Sequence, residues 1–367
     1  MRFALIKDPD GEGGRRRESV GLFDDGVDTV EGSNVVDVPD AAAEGKKEKE
    51  FFEAYSRFPI HRAMLQDEAR MAAYSAALID RRFVAGKTVL DVGCGTGALS
   101  LMAARGGASR VYAIEASSVM AAVARQNVKD NGFSGVVTVV EGFIEDAKIP
   151  ANSVDAVLSE WMGYCLFFEG MLDSVLKARR LLSPGGIMLP DFAKLQICLF
   201  SCPEQYEQRR QLLSTPVFKG LHTGALFDAM FTPIKTAQMS AHYCVSTEDT
   251  VAAIDLETVP ESEVGKVDHE FRVTAKYTCE AHGIVIYFAV QFGANPPVVL
   301  DTSPWGEPTH WQQSVLYFKE PLRVYRGREV SGRFQLRPMK RRREIEVRLQ
   351  IGDDAKKEVT RQFVRRA

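Results

Sequence analysis

No apolar run in this sequence is long enough to act as a signal peptide or to cross a membrane, and Asp8, Asp10 and Glu12 follow Met1 almost at once. The expectation is a soluble intracellular chain with no membrane partner. Cysteine is scarce and scattered. Cys94, Cys165, Cys198, Cys202, Cys244 and Cys279 include no C-x-x-C pair, which excludes a disulfide scaffold and fits a reducing compartment, the cytoplasm with the nucleus left open. The six histidines and the cysteines show no ligand spacing either, so no metal is expected. Nor is there an excess of one charge. The 46 Lys and Arg against 49 Asp and Glu, net −3, argue against general polyanion binding, and no direct nucleic-acid partner is expected.

What is present is length and apolar content: 367 residues at 45% hydrophobic are enough for two or more packed units. Residues 1–50, rich in Gly, Asp and Glu, read as a mobile tail whose Gly13-Gly14-Arg15-Arg16-Arg17 is a solvated charge run. Helical spacing follows over 51–59 and again over 60–80, with a break forced by Pro59. From Lys87 strands and helices alternate, the mark of a parallel sheet: strands at 88–92, 110–114, 136–140 and 154–158, helices at 98–104 and 118–131, the latter capped by Ser117 or Ser118. A further helix is predicted over 171–182, stopped by Ser183-Pro184-Gly185-Gly186. Beyond Leu189 the texture is antiparallel β, with strands near 193–200, 241–245, 271–277, 283–292, 314–318, 329–336 and 344–351, as in a barrel or sandwich. Residues 203–239 interrupt it with a more helical insertion.

Two segments carry chemistry. Asp91-Val92-Gly93-Cys94-Gly95-Thr96-Gly97-Ala98 is a glycine turn between a strand and a helix, and Glu115 ends the next strand, where a carboxylate meets ribose hydroxyls in Rossmann-like sheets. Gly93, Gly95 and Ala98 also satisfy a relaxed dinucleotide pattern, so the turn alone leaves NAD and other adenosyl cofactors open. The second segment, Ser159 to Leu172, sets Glu160 and Glu169 among Trp161, Met162, Tyr164, Leu166, Phe167 and Phe168 with no Lys, Arg or His. An ionised carboxylate in such surroundings must go neutral or find a cation. The substrate is the candidate for that cation.

Four distant segments then agree. Val89-Leu90-Asp91-Val92-Gly93-Cys94-Gly95-Thr96-Gly97 resembles the cofactor motif of class I S-adenosylmethionine methyltransferases, and Ser159-Glu160-Trp161-Met162-Gly163-Tyr164 with Glu169 resembles the double-E loop of protein arginine methyltransferases. Pro308-Thr309-His310-Trp311 is similar to their Thr-His-Trp loop. Phe52-Glu53-Ala54-Tyr55, Ile60-His61, Met64-Leu65 and Asp67-Glu68-Ala69-Arg70 are similar to their N-terminal helix motif. The resemblance runs from about Phe51 to the C-terminus.

It implies a Rossmann-like class I methyltransferase domain over 51–190, followed by a β-barrel domain over 191–367 with a helical dimerisation arm at about 203–239. The cofactor would be S-adenosyl-L-methionine, held by His61, Arg70, Asp91, Gly93, Gly95, Glu115, Ile144 and Glu145. The resemblance assigns Arg70 to the methionine carboxylate, Glu115 to ribose and Glu145 to the adenine amine. Asp91 would hold the glycine turn or the methionine amino group. Glu160 and Glu169 would grip the guanidinium, Asp67 and His310 would accept a proton, Met64 and Met171 would crowd the reacting centre, and Tyr55 would join this catalytic group. A histidine standing between Thr309 and Trp311 without the loop match would read as structural. Met64, Asp67 and Met71, at i, i+3 and i+7, would share one helix face.

Histidine in that loop together with two glutamates resembles type I members, which make monomethyl and asymmetric dimethyl arginine, and the implied partners are Gly-Arg-rich or histone-like proteins and a second copy of the chain. Gly86-Lys87-Thr88 and Arg110-Val111-Tyr112-Ala113 lean slightly toward the sixth-numbered member of the family. The stretch 295–307, with Pro296, Pro297, Pro304 and Trp305, departs most from the family and would affect peptide access. The alternatives are a noncatalytic arginine-peptide binding module and an NAD-dependent oxidoreductase. The second leaves Glu160, Glu169 and the Thr-His-Trp loop unexplained.

Overall fold

A computed structural model describes residues 58–79, 81–211, 233–339, 343–352 and 359–363. The expected tail, Tyr55 and residues 212–232 of the expected arm lie outside the described residues. Three helices open the described chain: α1 (Phe58–Gln66), α2 (Glu68–Ile79) and α3 (Arg81–Val84). The helix expected before Pro59 lies outside the described residues. Pro59 sits in the first turn of α1, where a missing N–H costs nothing. A break falls at Asp67, whose Oδ1 accepts from Arg70 N at 2.9 Å and whose carbonyl accepts from Met71 N at 2.9 Å. Asp67 is thus the N-cap of α2, which corrects the single helix face expected for Met64, Asp67 and Met71.

The parallel sheet is built from β1 (Thr88–Val92), β2 (Arg110–Glu115), β3 (Val137–Glu141), β4 (Val154–Leu158) and β5 (Leu182–Leu189), in the order β3-β2-β1-β4-β5. Helices α4 (Ala98–Arg105), α5 (Ser118–Asp130) and α6 (Met171–Ala178) connect its strands. Ser117 caps α5, its Oγ accepting from Met120 N at 3.3 Å. Strand order reverses beside β1, which has β2 on one side and β4 on the other. The crevice beyond the strand ends at such a reversal is where α/β sheets bind ligands. Gly93, Glu115 and Glu160 all stand at those ends, because each ends one of these strands or follows it within two residues.

The predicted helix over 171–182 is too long. Helix α6 stops at Ala178, a 3-10 turn spans Arg179–Leu181, and β5 runs through Ser183-Pro184-Gly185-Gly186. Because β5 is an edge strand, Pro184 removes no interior ladder bond.

The second half is antiparallel. Strands β6 (Phe192–Phe200), β7 (Lys235–Ala237), β8 (Asp249–Asp255), β10 (Cys279–Phe292) and β12 (Gln313–Val324) form a sheet in the order β7-β12-β10-β6-β8, with β11 (Val298–Asp301) on β10. A second sheet, β15-β14-β13-β9, joins β9 (Val267–Thr274), β13 (Glu329–Pro338), β14 (Ile345–Ile351) and β15 (Val359–Phe363) into the barrel-like unit. Strand β10 is buried along nearly all its length, whereas β9 alternates buried and exposed residues. One strand is central and the other half-solvated.

Two expectations change here. Residues 241–245 are no strand: a 3-10 turn at Ala241–Tyr243 leads to an isolated bridge between Phe200 and Cys244. The expected arm keeps a helix, α7 (Pro203–Gln211), but its end belongs to the barrel, since β7 pairs with β12 and Met239 is buried. The two halves meet through rings. Tyr74 of α2 packs edge-on against Phe292 of β10 at 4.9 Å.

Candidate active site

A cavity of about 1090 Å³ lies across the strand ends and is closed on its far side by the barrel. On the sheet side, Gly93 adopts φ 78°, and a Cβ there would come within 3.2 Å of Met171 Cε. Only a residue without a side chain gives this floor at no cost. Glu115 lies beside the turn. Its Oε2 accepts from Gly95 N at 2.8 Å and its Oε1 from Ser117 N at 2.7 Å. Burial pushes the Glu115 carboxyl up, and those amides only partly offset the shift. Ile144 is buried at the wall, and Glu145 accepts from Ser174 Oγ at 3.0 Å and Lys177 Nζ at 2.9 Å. Burial works upward on Glu145 as well, but the Lys177 bond leads a set that leaves it below the usual carboxylate range.

The double-glutamate loop enters after β4 and is stitched to its surroundings. Ser159 Oγ donates to Val92 O at 2.7 Å, Tyr74 Oη donates to Ser159 O at 3.0 Å, and Trp311 Nε1 donates to Met162 O at 2.8 Å. Gly163 lets the loop close on itself, since a Cβ would fall 1.9 Å from Phe168 O. The flanking Trp161, Met162, Leu166, Phe167 and Phe168 are all buried, as their apolar character predicts.

Glu160 is already ion-paired, which corrects the expectation that no cation but the substrate reaches this segment. Arg70 Nε and Nη2 donate to Glu160 Oε2 at 3.2 and 3.0 Å, with both side chains about nine-tenths covered. The cation comes from α2, far away in sequence, so local composition could not reveal it. Both bonds fall on Oε2, leaving Oε1 as the oxygen for a ligand. Arg70, assigned by resemblance to the cofactor carboxylate, therefore stands between that role and Glu160.

Opposite, His310 is held by Asp67. His310 N donates to Asp67 Oδ2 at 2.8 Å, and His310 Nδ1 lies 2.7 Å from the same oxygen. Burial pushes Asp67 up, but the bonds from the His310 ring and from the Arg70 and His310 amides more than compensate, leaving it below the ordinary carboxylate range. A carboxylate kept ionised accepts, so Nδ1 is the ring nitrogen that donates to Asp67. His61, Met64, Met171, Glu169 and Gly95 also line the cavity.

Asp91 does not, which corrects its place among the cofactor contacts. It is fully buried behind the turn, its Oδ2 accepting from Ser100 Oγ at 2.6 Å while Oδ1 has no partner. No residue of 295–307 lines the cavity either. That stretch packs near α3, where Arg82 Nη2 donates to Pro296 O at 3.3 Å. The sequence reading passed over Arg343, which reaches the cavity from the turn before β14. No spacing rule could flag it within a run of basic residues.

Comparison with known proteins agrees with this geometry. A family model for the arginine methyltransferase oligomerization subdomain matches residues 199–354, and one for a methyltransferase domain matches 89–186. Protein arginine N-methyltransferase 1 of Dictyostelium discoideum is 33% identical over 82% of this chain and 88% of its own length. The chain belongs to the protein arginine methyltransferases. Protein arginine N-methyltransferase 6 of Xenopus tropicalis is 38% identical over 79% of this chain and 86% of its own. The solved Trypanosoma brucei PRMT1 enzyme-prozyme heterotetrameric complex with AdoHcy is 33% identical, with a TM-score of 0.78, over 85% of this chain and all of that one. Membership in this enzyme family settles what the glycine turn alone leaves open and removes the oxidoreductase reading.

Proposed function

We propose that this arginine methyltransferase is type I, converting protein arginine to monomethyl and asymmetric dimethyl arginine. The carrying observation is the convergence of four elements on one cavity: the glycine turn, the Glu160 and Glu169 loop, the Asp67–His310 pair, and Met64 with Met171. The residues fit an S-adenosyl cofactor, because the Gly93 floor admits a close approach that a Cβ would fill and Glu115 stands at the end of β2. Glu115, Ile144, Glu145, His61 and Arg70 would hold it. When bound, S-adenosyl-L-methionine supplies an electrophilic methyl group, leaving S-adenosyl-L-homocysteine.

The protein's task is to make a poor nucleophile react. A guanidinium stays protonated and its lone pairs are delocalised. Glu160 and Glu169, accepting its hydrogen bonds, draw positive charge from the attacking nitrogen and fix its direction. Fixing direction in this way contributes about 7 to 11 kcal/mol in favourable cases. His310 Nε2, with Nδ1 anchored on Asp67, takes the proton that the nitrogen must lose. Met64 and Met171 limit how much methylation fits.

Gly-Arg-rich or histone-like proteins are the proposed substrates. A homodimer is the proposed assembly, with the insertion from Pro203 as the docking arm, supported by the oligomerization model that spans it. The cytoplasm, with the nucleus left open, rests on cysteine use alone. The test is incubation with methyl-labelled S-adenosylmethionine and a Gly-Arg-rich peptide, followed by amino-acid analysis. Asymmetric dimethyl arginine is expected. Symmetric product would overturn the type I reading, and binding without transfer would leave a noncatalytic module.

A further inference from the structure

The turn between β13 and β14 has no role in the chemistry proposed for the cavity, yet Arg343 within it lines that cavity. It grips Glu169 at both backbone polar groups. Glu169 N donates to Arg343 O at 3.0 Å, and Arg343 Nη1 donates to Glu169 O at 2.9 Å, with the same Nη1 4.0 Å from Met171 Sδ. Glu169 needs such a grip, because its φ is 78°, a left-handed conformation that residues with a Cβ adopt only when their surroundings impose it. A change of φ at this residue would shift its side chain relative to the cavity that it and Glu160 line. The neighbouring packing gives the turn a fixed base: Gly265 abuts Pro338 at the end of β13 and approaches Phe167 in the loop.

We propose that Arg343 is a positioning residue: it latches the barrel onto the backbone of Glu169 and so aims that carboxylate into the cavity beside Glu160. Arg343 acts through Glu169 rather than on the reacting atoms. The inference rests on the reading of Glu160 and Glu169 as the guanidinium clamp. A planar guanidinium sets the direction of its N–H donors, whereas a lysine ammonium supplies a point charge on a flexible stem. Lysine at 343 should therefore restore part of the aim.

The experiment compares the wild-type chain with Arg343→Ala, Arg343→Lys, Glu169→Gln and the Arg343→Ala/Glu169→Gln double variant. Three quantities are measured: turnover with methyl-labelled S-adenosylmethionine and a Gly-Arg-rich peptide, the Kd of S-adenosylhomocysteine, and the Kd of that peptide in the presence of S-adenosylhomocysteine. Arg343→Ala is expected to lower kcat by roughly 10- to 100-fold, as a small misplacement at a reacting centre does, while cofactor Kd stays within about threefold. Arg343→Lys should fall between the two. In the Glu169→Gln background the same Arg343→Ala change should alter peptide Kd by less than about twofold, because coupled residues do not add. Wild-type turnover in Arg343→Ala, or peptide-binding losses that multiply in the double variant, would overturn the proposal. If Arg343→Ala does not fold, Arg343→Lys carries the same comparison with and without Glu169→Gln. No transfer by the wild-type chain would instead overturn the function on which the inference depends.

Discussion

Glu160 and Glu169 close opposite ends of one loop, but different parts of the molecule hold them. Glu160 is held by its carboxylate, through Arg70 of α2, within the half that carries the parallel sheet. Glu169 is held by its backbone, through Arg343 of the barrel. The first anchorage sets charge and the second sets direction. A clamp built this way can fail by two routes, loss of an ionic partner or loss of contact between the halves, and substitutions can separate them.

The largest effect is expected from the carboxylates themselves. Glu160→Gln and Glu169→Gln keep shape and remove charge, so each should reduce kcat by roughly 100- to 1000-fold, the scale seen when one transition-state contact is removed. Cofactor Kd, measured by titration with S-adenosylhomocysteine, should move by less than about threefold. Near-normal turnover in either variant would break the comparison at its root.

Next comes the bridge between the halves at Asp67 and His310. Asp67→Asn removes the charge that fixes the His310 tautomer, and the amide must divide its donors and acceptor among contacts that one carboxylate serves alone. A loss of roughly 10- to 100-fold in kcat is expected, toward the low end of general-base contributions. A change in cofactor Kd with kcat intact would show that Asp67 serves the fold of α2 and not proton removal.

A smaller effect separates the cofactor floor from the clamp. Gly93→Ala forces a side chain to φ 78° and brings its Cβ against Met171 Cε. The left-handed conformation costs about 1 to 2 kcal/mol, so cofactor affinity should fall by about tenfold. Saturating cofactor should restore most of kcat, and a failure to do so would place Gly93 in positioning Met171.

The two halves also differ in how much of them could be read in advance. In the sheet half, strand, glycine turn and helix are neighbours in sequence, so Gly93 and Glu115 declare their places through local pattern. The Arg70–Glu160 pair was not legible, because no local rule joins α2 to the end of β4. Ser183-Pro184-Gly185-Gly186 did mark the end of the helical stretch, but it lies inside β5, because an edge strand tolerates it. In the barrel half, the strands β6, β9, β10, β12, β13 and β14 were legible from their texture and His310 from its loop motif, whereas 241–245 is no strand and the expected strands did not include β7, β8, β11 or β15. Arg343 was not, since its meaning depends on which backbone it meets after folding. Residues 233–239 read as part of an arm until pairing with β12 placed them in the sheet.

Asp91 offers the smallest prediction, and it concerns stability more than rate. Burial pushes its carboxyl from an ordinary 3.8 up to about 7, while the Ser100 hydroxyl offsets only part of that rise. A folded acid with a raised pKa keeps a proton that the unfolded chain has already released. Stability is therefore lost as pH rises from about 4 to about 7, and the loss is complete above that range. A tenfold difference in proton affinity between folded and unfolded chain corresponds to about 1.4 kcal/mol. Asp91→Asn retains an oxygen for Ser100 and has nothing to titrate, so its melting temperature relative to wild type should climb from about pH 4 to about pH 7 in the cofactor-free protein. Parallel melting curves would mean that Asp91 is ionised throughout and that its unpartnered Oδ1 has found a cation. With Glu160 paired and Asp91 protonated, the sheet half would hold its buried acids by neutralising them, which leaves control of direction at Glu169 to the barrel.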